Sequence, residues 1–394
     1  MKFLVLNADY PDFIRWLYQE HAGLEAQTYD EQLKVRAESF YGMADFCSSN
    51  LRALGHEAYD LYANNEALQQ AWAHERGLEI DQSWTVQRRI ISFLQGIRSL
   101  VAKTPARRLK PYLGARAERL TQAHDPCLDV LKAQIKQHKP DVVLNQAVDS
   151  IPGRFMKELK PSIRFLVGQH AATPLREDED LSGYDLMISS FPATLETFQR
   201  KGLRTELCRL GFEPRVLSTS DCPGKKWDIS FIGSFFDVHS SRARWLETLC
   251  RTFPRLKVWS PSIDHLPPAS PIRGHYMGQA WGRQMYQCLS SSKLTLNHHG
   301  DVAPYANNMR LFEATGVGTC LLTDWKDNLN DMFTPGKEVV AYRNPEECIG
   351  LLGHYLEHDA ERKAVARAGQ ARTLREHTYY HRMQEFIGIL GKYL

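Results

Sequence analysis

Two doubly wound α/β domains are what this sequence predicts, and three observations carry the prediction. Short apolar and β-branched runs alternate with helical segments along the chain, the order that builds parallel sheets covered by helices. The alternation is interrupted over 213–226, where Pro214, Pro223 and Gly224 lie in a stretch of little periodicity that reads as a linker. The 394 residues are too many for one core and suit two of ordinary size.

In the first half, the predicted strands are Phe3–Leu6, Glu57–Leu61, Asp141–Leu144, Ile163–Val167, Leu186–Ser189 and Glu206–Leu210. A long amphipathic helix is expected over Tyr29–Leu54, ended by Gly55, with further helices over Ala67–Arg76 and Ala193–Lys201. Trp84–Leu120 also reads as helical, within an insertion over about 84–137. It is unusually basic, with nine Lys or Arg between Arg88 and Arg119 against the one acid Glu118. Two readings stand: a solvated helical face, or a contact of 88–119 with an acceptor or an anionic surface through the interleaved Ile90, Ile91, Phe93, Leu94 and Tyr112.

The second half repeats the pattern. Asp228–Ile232, Leu256–Trp259, Lys293–Leu296, Thr319–Thr323 and Glu338–Ala341 are expected strands. Between them fall helices over His239–Arg251, Gln279–Leu289 and Met309–Thr315, and three more close the chain over Pro345–Leu356, Ala360–Leu374 and Tyr379–Tyr393.

Composition excludes several classes. Apolar residues make up 43% and charged residues 24%, which is globular rather than disordered. A net charge of +3 is too small to indicate nucleic acid as a partner. Eight cysteines are scattered with no C-x-x-C pair, which argues for reduced thiols and a cytoplasmic protein. MKFLVL, followed at once by Asn7, Asp9 and Asp12, reads as a first strand and not as a targeting peptide.

The chemistry concentrates in NHHGDVAPYANNMRLFEATGVGTCLLTD, Asn297 to Asp324. Strand, polar loop, helix and strand in that order form a βαβ unit, and in open α/β sheets ligands bind at such a loop. Backbone N–H groups around Asn308, Met309, Arg310 and Leu311 are free to meet a diphosphate. Glu313 lies a turn further on, placed to accept hydrogen bonds from a ribose diol. Together those groups describe a nucleotide sugar. His299 and Gly300 sit in the same loop as candidate contacts to a phosphate or the base; His298 points the other way on an extended chain. Gly233 and Ser234 follow a strand and precede a helix, so the backbone there can approach a phosphate with His239 and Arg242 as the nearest cations. In the first domain His170 follows a strand, facing the interdomain cleft as a contact for sugar or acceptor. The helical pairs His354/His358 and His377/His381 resemble half a zinc site but lack an evident third ligand, so no metal is expected.

The segment LFEATGVGTCLLTDWKDNLNDMFTPGKEVVAYRNPEE, with the later REHTYYHR, resembles the C-terminal half of the CgeB-like, group-1 type glycosyltransferases, relatives of retaining glycosyltransferase family four. The resemblance implies a GT-B fold: a first Rossmann-like, acceptor-side domain over 1–212, a second, nucleotide-sugar-binding domain over 227–378, and a terminal helix over 379–394 that packs back on the first. Many of those enzymes carry two glutamates separated by seven residues. The second corresponds to Glu313, and the first falls at Tyr305, which cannot accept as a carboxylate does. A retaining outcome is implied by analogy alone.

The implied reaction is metal-independent transfer of a sugar from a UDP-, GDP- or dTDP-type donor, with no cofactor, to a glycan, lipid-linked, peptide or small-molecule acceptor. Arg242 and Arg310 are the cations expected to meet charge on the departing diphosphate. The other readings are a GT-B-fold epimerase or phosphorylase, and a noncatalytic nucleotide-sugar-binding protein.

Overall fold

β1 (Lys2–Asn7) is buried at five of its six positions, the unbroken apolar run of a strand covered on both faces. It lies second from one edge of a six-stranded parallel sheet with β2 (Glu57–Tyr62), β3 (Val142–Asn145), β4 (Phe165–Gln169), β5 (Leu186–Ser189) and β6 (Thr205–Leu207), in the order β2-β1-β3-β4-β5-β6. A second parallel sheet holds β7 (Trp227–Ile232), β8 (Leu256–Trp259), β9 (Ser292–Asn297), β10 (Cys320–Asp324) and β11 (Val340–Tyr342), in the order β11-β10-β9-β7-β8. The strand order reverses between β1 and β3, and again between β7 and β9. Reversal of that kind opens a crevice at the carboxyl ends of the strands. The computed structural model describes residues 1–79, 125–171, 175, 178–219, 224–235, 241–299 and 304–394. The basic stretch 88–119, with most of the expected insertion, lies outside them.

The first sheet carries α1 (Pro11–Glu20), α2 (Tyr29–Glu38), α3 (Phe46–Ala53), α4 (Glu66–Glu75), α5 (Pro126–His138), α6 (Gly153–Leu159) and α7 (Pro192–Arg200). The second carries α8 (Ser241–Thr252), α9 (Ile272–His275), α10 (Gly282–Ser290), α11 (Arg310–Gly316), α12 (Pro345–Glu357) and α13 (Asp359–Glu376), and α14 (Tyr379–Leu390) crosses back to the first. α1, α6 and the short α9 have no counterpart among the predicted elements. α1 was signalled by Pro11 at its first position and by Phe13 and Leu17, one turn apart and buried.

One expected helix is corrected. Tyr29–Leu54 is two helices, α2 and α3, separated by a turn with positive φ at Phe40, Gly42 and Ala44. α2 starts in a capping box between Thr28 and Glu31. The turn that follows seats the second domain: the Ser39 carbonyl accepts from the Arg283 N–H at 2.8 Å. Gly282 beside it has φ +48°, and a Cβ there would collide with that carbonyl. A glycine with positive φ, Gly42, lies in the break, and the contact with the second domain holds it.

The domains are joined elsewhere too. Trp281 meets Tyr41 edge-on at 5.1 Å, and Tyr41 stacks on Phe13 at 3.9 Å. The Phe212 N–H donates to the His377 carbonyl at 2.8 Å, and the Tyr379 N–H returns a bond to the Phe212 carbonyl at 2.9 Å. α14 then packs on α3, with Phe386 lying 6.3 Å from Phe3. One apolar cluster runs from Phe3 and Val5 through Phe212 to Leu311, Phe312 and Phe386. Each such buried side chain is worth roughly 1.5–3 kcal/mol relative to exposure, so the cluster ties both sheets to the last helix. The seven described cysteines are all free. Among the described residues no helix is long and apolar enough to cross a membrane.

Candidate functional site

The β7/β9 crevice collects most of the residues singled out from the sequence. Gly233 follows β7, and its N–H donates to the Trp259 carbonyl at the end of β8, 3.1 Å away. Arg242, on the first turn of α8, is 7% exposed. Its Nε donates to the His298 carbonyl at 2.7 Å and its Nη1 to the Ser234 carbonyl at 3.4 Å. One guanidinium therefore straps the loop after β7 to the loop after β9 and holds positive charge at the crevice.

β9 and β10 run parallel with Asn297 opposite Thr323, which brings the next residues, His298 and His299, beside Asp324. The Asp324 Oδ1 accepts from the His299 backbone N–H at 3.0 Å and lies 2.6 Å from the ring Nδ1. A carboxylate only accepts, so Nδ1 carries the proton and Nε2 faces away. Nε2 is buried and has no hydrogen-bond partner among the described residues. Burial alone would push the Asp324 carboxyl pKa up; the His299 bonds and the nearby His298 outweigh it and hold it below the usual carboxylate range. Lys326 Nζ lies 3.4 Å from the other Asp324 oxygen. His298 stacks on the Trp245 ring at 4.9 Å. The two histidines thus diverge, one into packing and one to Asp324.

The next loop end is knitted by amides. Asn308 Nδ2 donates to Asn297 Oδ1 at 2.7 Å, and Asn297 Nδ2 donates to Thr323 Oγ1 at 3.0 Å. Met309 then caps α11 with no side-chain capping bond. α11 has seven residues. Leu311 is wholly buried in the core, so only its backbone faces the loop. Arg310 Nη1 pairs with Glu313 Oε2 at 2.7 Å, one turn on, and Arg310 Nη2 donates to the Ile232 carbonyl at 3.3 Å. Burial raises the Glu313 carboxyl pKa, and Arg310 offsets part of that rise. The ligand-free chain therefore joins the expected ribose acceptor to the expected diphosphate cation.

Across the cleft, Tyr305 meets Phe191 of the first domain edge-on at 6.2 Å. Phe191 follows β5, and the α7 it leads into is tied to the loop after β4, where Thr194 Oγ1 donates to the Ala171 carbonyl at 2.7 Å. His170 lies in that loop, 8% exposed, with its N–H on the Ile188 carbonyl at 3.1 Å and its ring 6.4 Å from Phe198. His239 and Gly300 lie outside the described residues. Sequence reasoning did not single out Asp324, Asn297, Lys326 or Phe191. The signal for Asp324 was its place at the end of the strand beside the histidine loop.

A cavity of about 620 Å³ lies elsewhere, lined by Glu179, Tyr184, Asp185, Lys201 and Arg204. It sits at the amino ends of β5 and β6, the edge opposite to the facing loops, so it is not the ligand crevice. Among the described residues, the one group of side chains spaced to share a metal ion is His354, His358 and Glu361, which is not at the crevice.

Two facing Rossmann-like sheets with the crevice between them define a GT-B fold. HepE from Anabaena, solved with UDP-glucose, aligns over 100% of both chains at a TM-score of 0.55 and 11% identity. A glycosyltransferase from Rickettsia africae aligns over 98% of this chain and 97% of its own, at a TM-score of 0.54 and 8% identity. Residues 242–388 match the family described as glycosyl transferase-like. Comparison with curated proteins finds no match.

Proposed function

We propose that this protein transfers a sugar from a nucleotide-diphosphate sugar to an acceptor without a metal ion. The observation that carries the reading is the buried, unpartnered Nε2 of His299, oriented by Asp324 at the β9 and β10 carboxyl ends. A buried polar atom without a partner costs about 1–3 kcal/mol, and a donor oxygen that meets it recovers that cost. A proton between Nε2 and a diphosphate oxygen joins the two, while Asp324 holds the ring through Nδ1. As the glycosidic bond breaks, negative charge grows on the diphosphate, and fixed positive groups there lower the barrier. Arg242 supplies such a charge. Glu313 takes the ribose diol by releasing Arg310, whose guanidinium is then available to the phosphates. His170 contacts the transferred sugar from the opposite wall, and closure across Tyr305 and Phe191 excludes water. The fold of HepE and the glycosyl transferase-like match over 242–388 support this reading.

The test is calorimetry with UDP-, GDP- and dTDP-sugars, followed by product analysis with a panel of acceptors and a chelator present. Binding of one donor class, its weakening in His299→Ala, and transfer that survives chelation are expected. Failure of every donor to bind would overturn the proposal.

A second reading is a nucleotide-sugar-binding protein without transfer. The Arg310–Glu313 pair favours it, since it closes the acceptor group in the free chain. Donor binding without turnover on any acceptor would select it.

A further inference from the structure

The last turn of α12 and the first of α13 present three metal-ligating side chains on one exposed corner. His354 and His358 are one helical turn apart, so both rings lie on the same face. Glu361 arrives from the next helix, because His358 is the single residue between the two. The ligand atoms of the three all lie within 4.8 Å of one another. His354 Nε2 is 2.8 Å from Glu361 Oε2, and the two imidazoles stack at 4.0 Å. His358 Nδ1 lies 2.8 Å from the His354 carbonyl. A carbonyl can only accept, so Nδ1 bears the proton and Nε2 keeps the lone pair that a metal ligand needs. A backbone carbonyl fixing the tautomer in this way is the usual outer support of a metal-binding imidazole.

We propose that His354, His358 and Glu361 form a surface site for a divalent transition ion of the zinc, nickel and copper group. Two imidazole nitrogens and one carboxylate oxygen suit those ions, whereas calcium and magnesium take oxygen ligands. The ion takes the place of the proton between His354 Nε2 and Glu361; that proton passes through solvent to Nδ1 of the same ring, which stays neutral, and a small rotation of the exposed rings closes the remaining distance to the ion's bond lengths. Water completes the coordination. The site staples α12 to α13 and is separate from the crevice. α12 begins just beyond β11, at the carboxyl edge of the sheet, and its thirteen residues run about 20 Å, which carries His354 to the opposite edge.

The test is calorimetric titration of the full chain with zinc chloride, repeated on His354→Ala, His358→Ala and Glu361→Gln. All three positions are exposed, so the variants retain the fold, which circular dichroism checks. One equivalent should bind, with dissociation constants raised roughly tenfold or more in the histidine variants. Cobalt substitution should give weak visible bands without thiolate charge transfer, separating the site from the cysteines. No saturable binding, equal binding by the variants, or thiolate bands would each overturn the proposal.

Discussion

Arg310 Nη1 lies 2.7 Å from Glu313 Oε2, so the two residues expected at the diphosphate and the ribose of a donor are each other's partners in the free chain. Removing one alone leaves a buried charge unpaired, which costs about 3–5 kcal/mol, whereas replacing both with apolar groups is near neutral. Glu313→Ala should therefore destabilise the chain more than the double variant Arg310→Met/Glu313→Leu, as read by urea unfolding. If Glu313 grips the ribose, the folded double variant should also lose roughly 1.5–3 kcal/mol of donor affinity. Calorimetry showing donor affinity intact in that variant would leave the pair a purely structural one.

The strands were legible because burial on both faces leaves runs of apolar residues that no helical periodicity explains. Leu186–Ser189 and Leu256–Trp259 are found at the predicted bounds. The Tyr29–Leu54 break was legible only through Gly42, which takes positive φ freely; Phe40 and Ala44 take it too although their residue types do not ask for it. The contact of Ser39 with Gly282 and Arg283, far along the chain, holds the turn in place. The site follows the same division. His299 and Glu313 stand next to strand and helix ends and could be chosen from sequence, and Arg310, three residues before Glu313, was open there as a structural ion pair; the Asp324 partnership depends on parallel register.

His299 and Asp324 make a second prediction. Asp324→Asn removes the carboxylate that orients the ring, while His299→Ala removes the ring itself. Both should lower transfer, by roughly 10²–10³-fold if the group meets charge on the leaving diphosphate. Asp324 also has a depressed folded pKa, so its contribution to stability is present above the ordinary carboxyl range and is lost as the pH falls below it. The wild-type advantage over Asp324→Asn in urea should therefore shrink on acidification. A constant difference from neutral pH down to pH about 3 would rule out this linkage.

Gly282 tests the seat between the domains. Alanine there must adopt φ +48° and push its Cβ into the Ser39 carbonyl, whereas Gly274 has nothing within 4 Å and an ordinary φ. Gly282→Ala should cost about 1–3 kcal/mol, and Gly274→Ala should be neutral or stabilising by up to about 1 kcal/mol. Denaturant titrations of the two variants make the comparison. Equal stabilities would mean that the Ser39 contact is not fixed in solution.

Asp60 supplies a prediction about pH that is independent of the crevice. It is buried in the first domain, where burial pushes its pKa up to about 7 despite hydrogen bonds from Ser48 and Asn7. Its unfolded value is the ordinary one, about 3.9. Between the two values the folded chain holds a proton that the unfolded chain has released, so stability falls as pH rises through that window and stays reduced above it. Asp60→Asn removes the ionisation and keeps an acceptor for Ser48. It should be more stable than the wild type at pH about 8, by roughly 2–4 kcal/mol. The gain should vanish towards pH about 4, where both side chains are neutral. Urea titrations at the two extremes measure the difference, and a gain that does not change with pH would show that Asp60 ionises in its pocket at the ordinary carboxyl value.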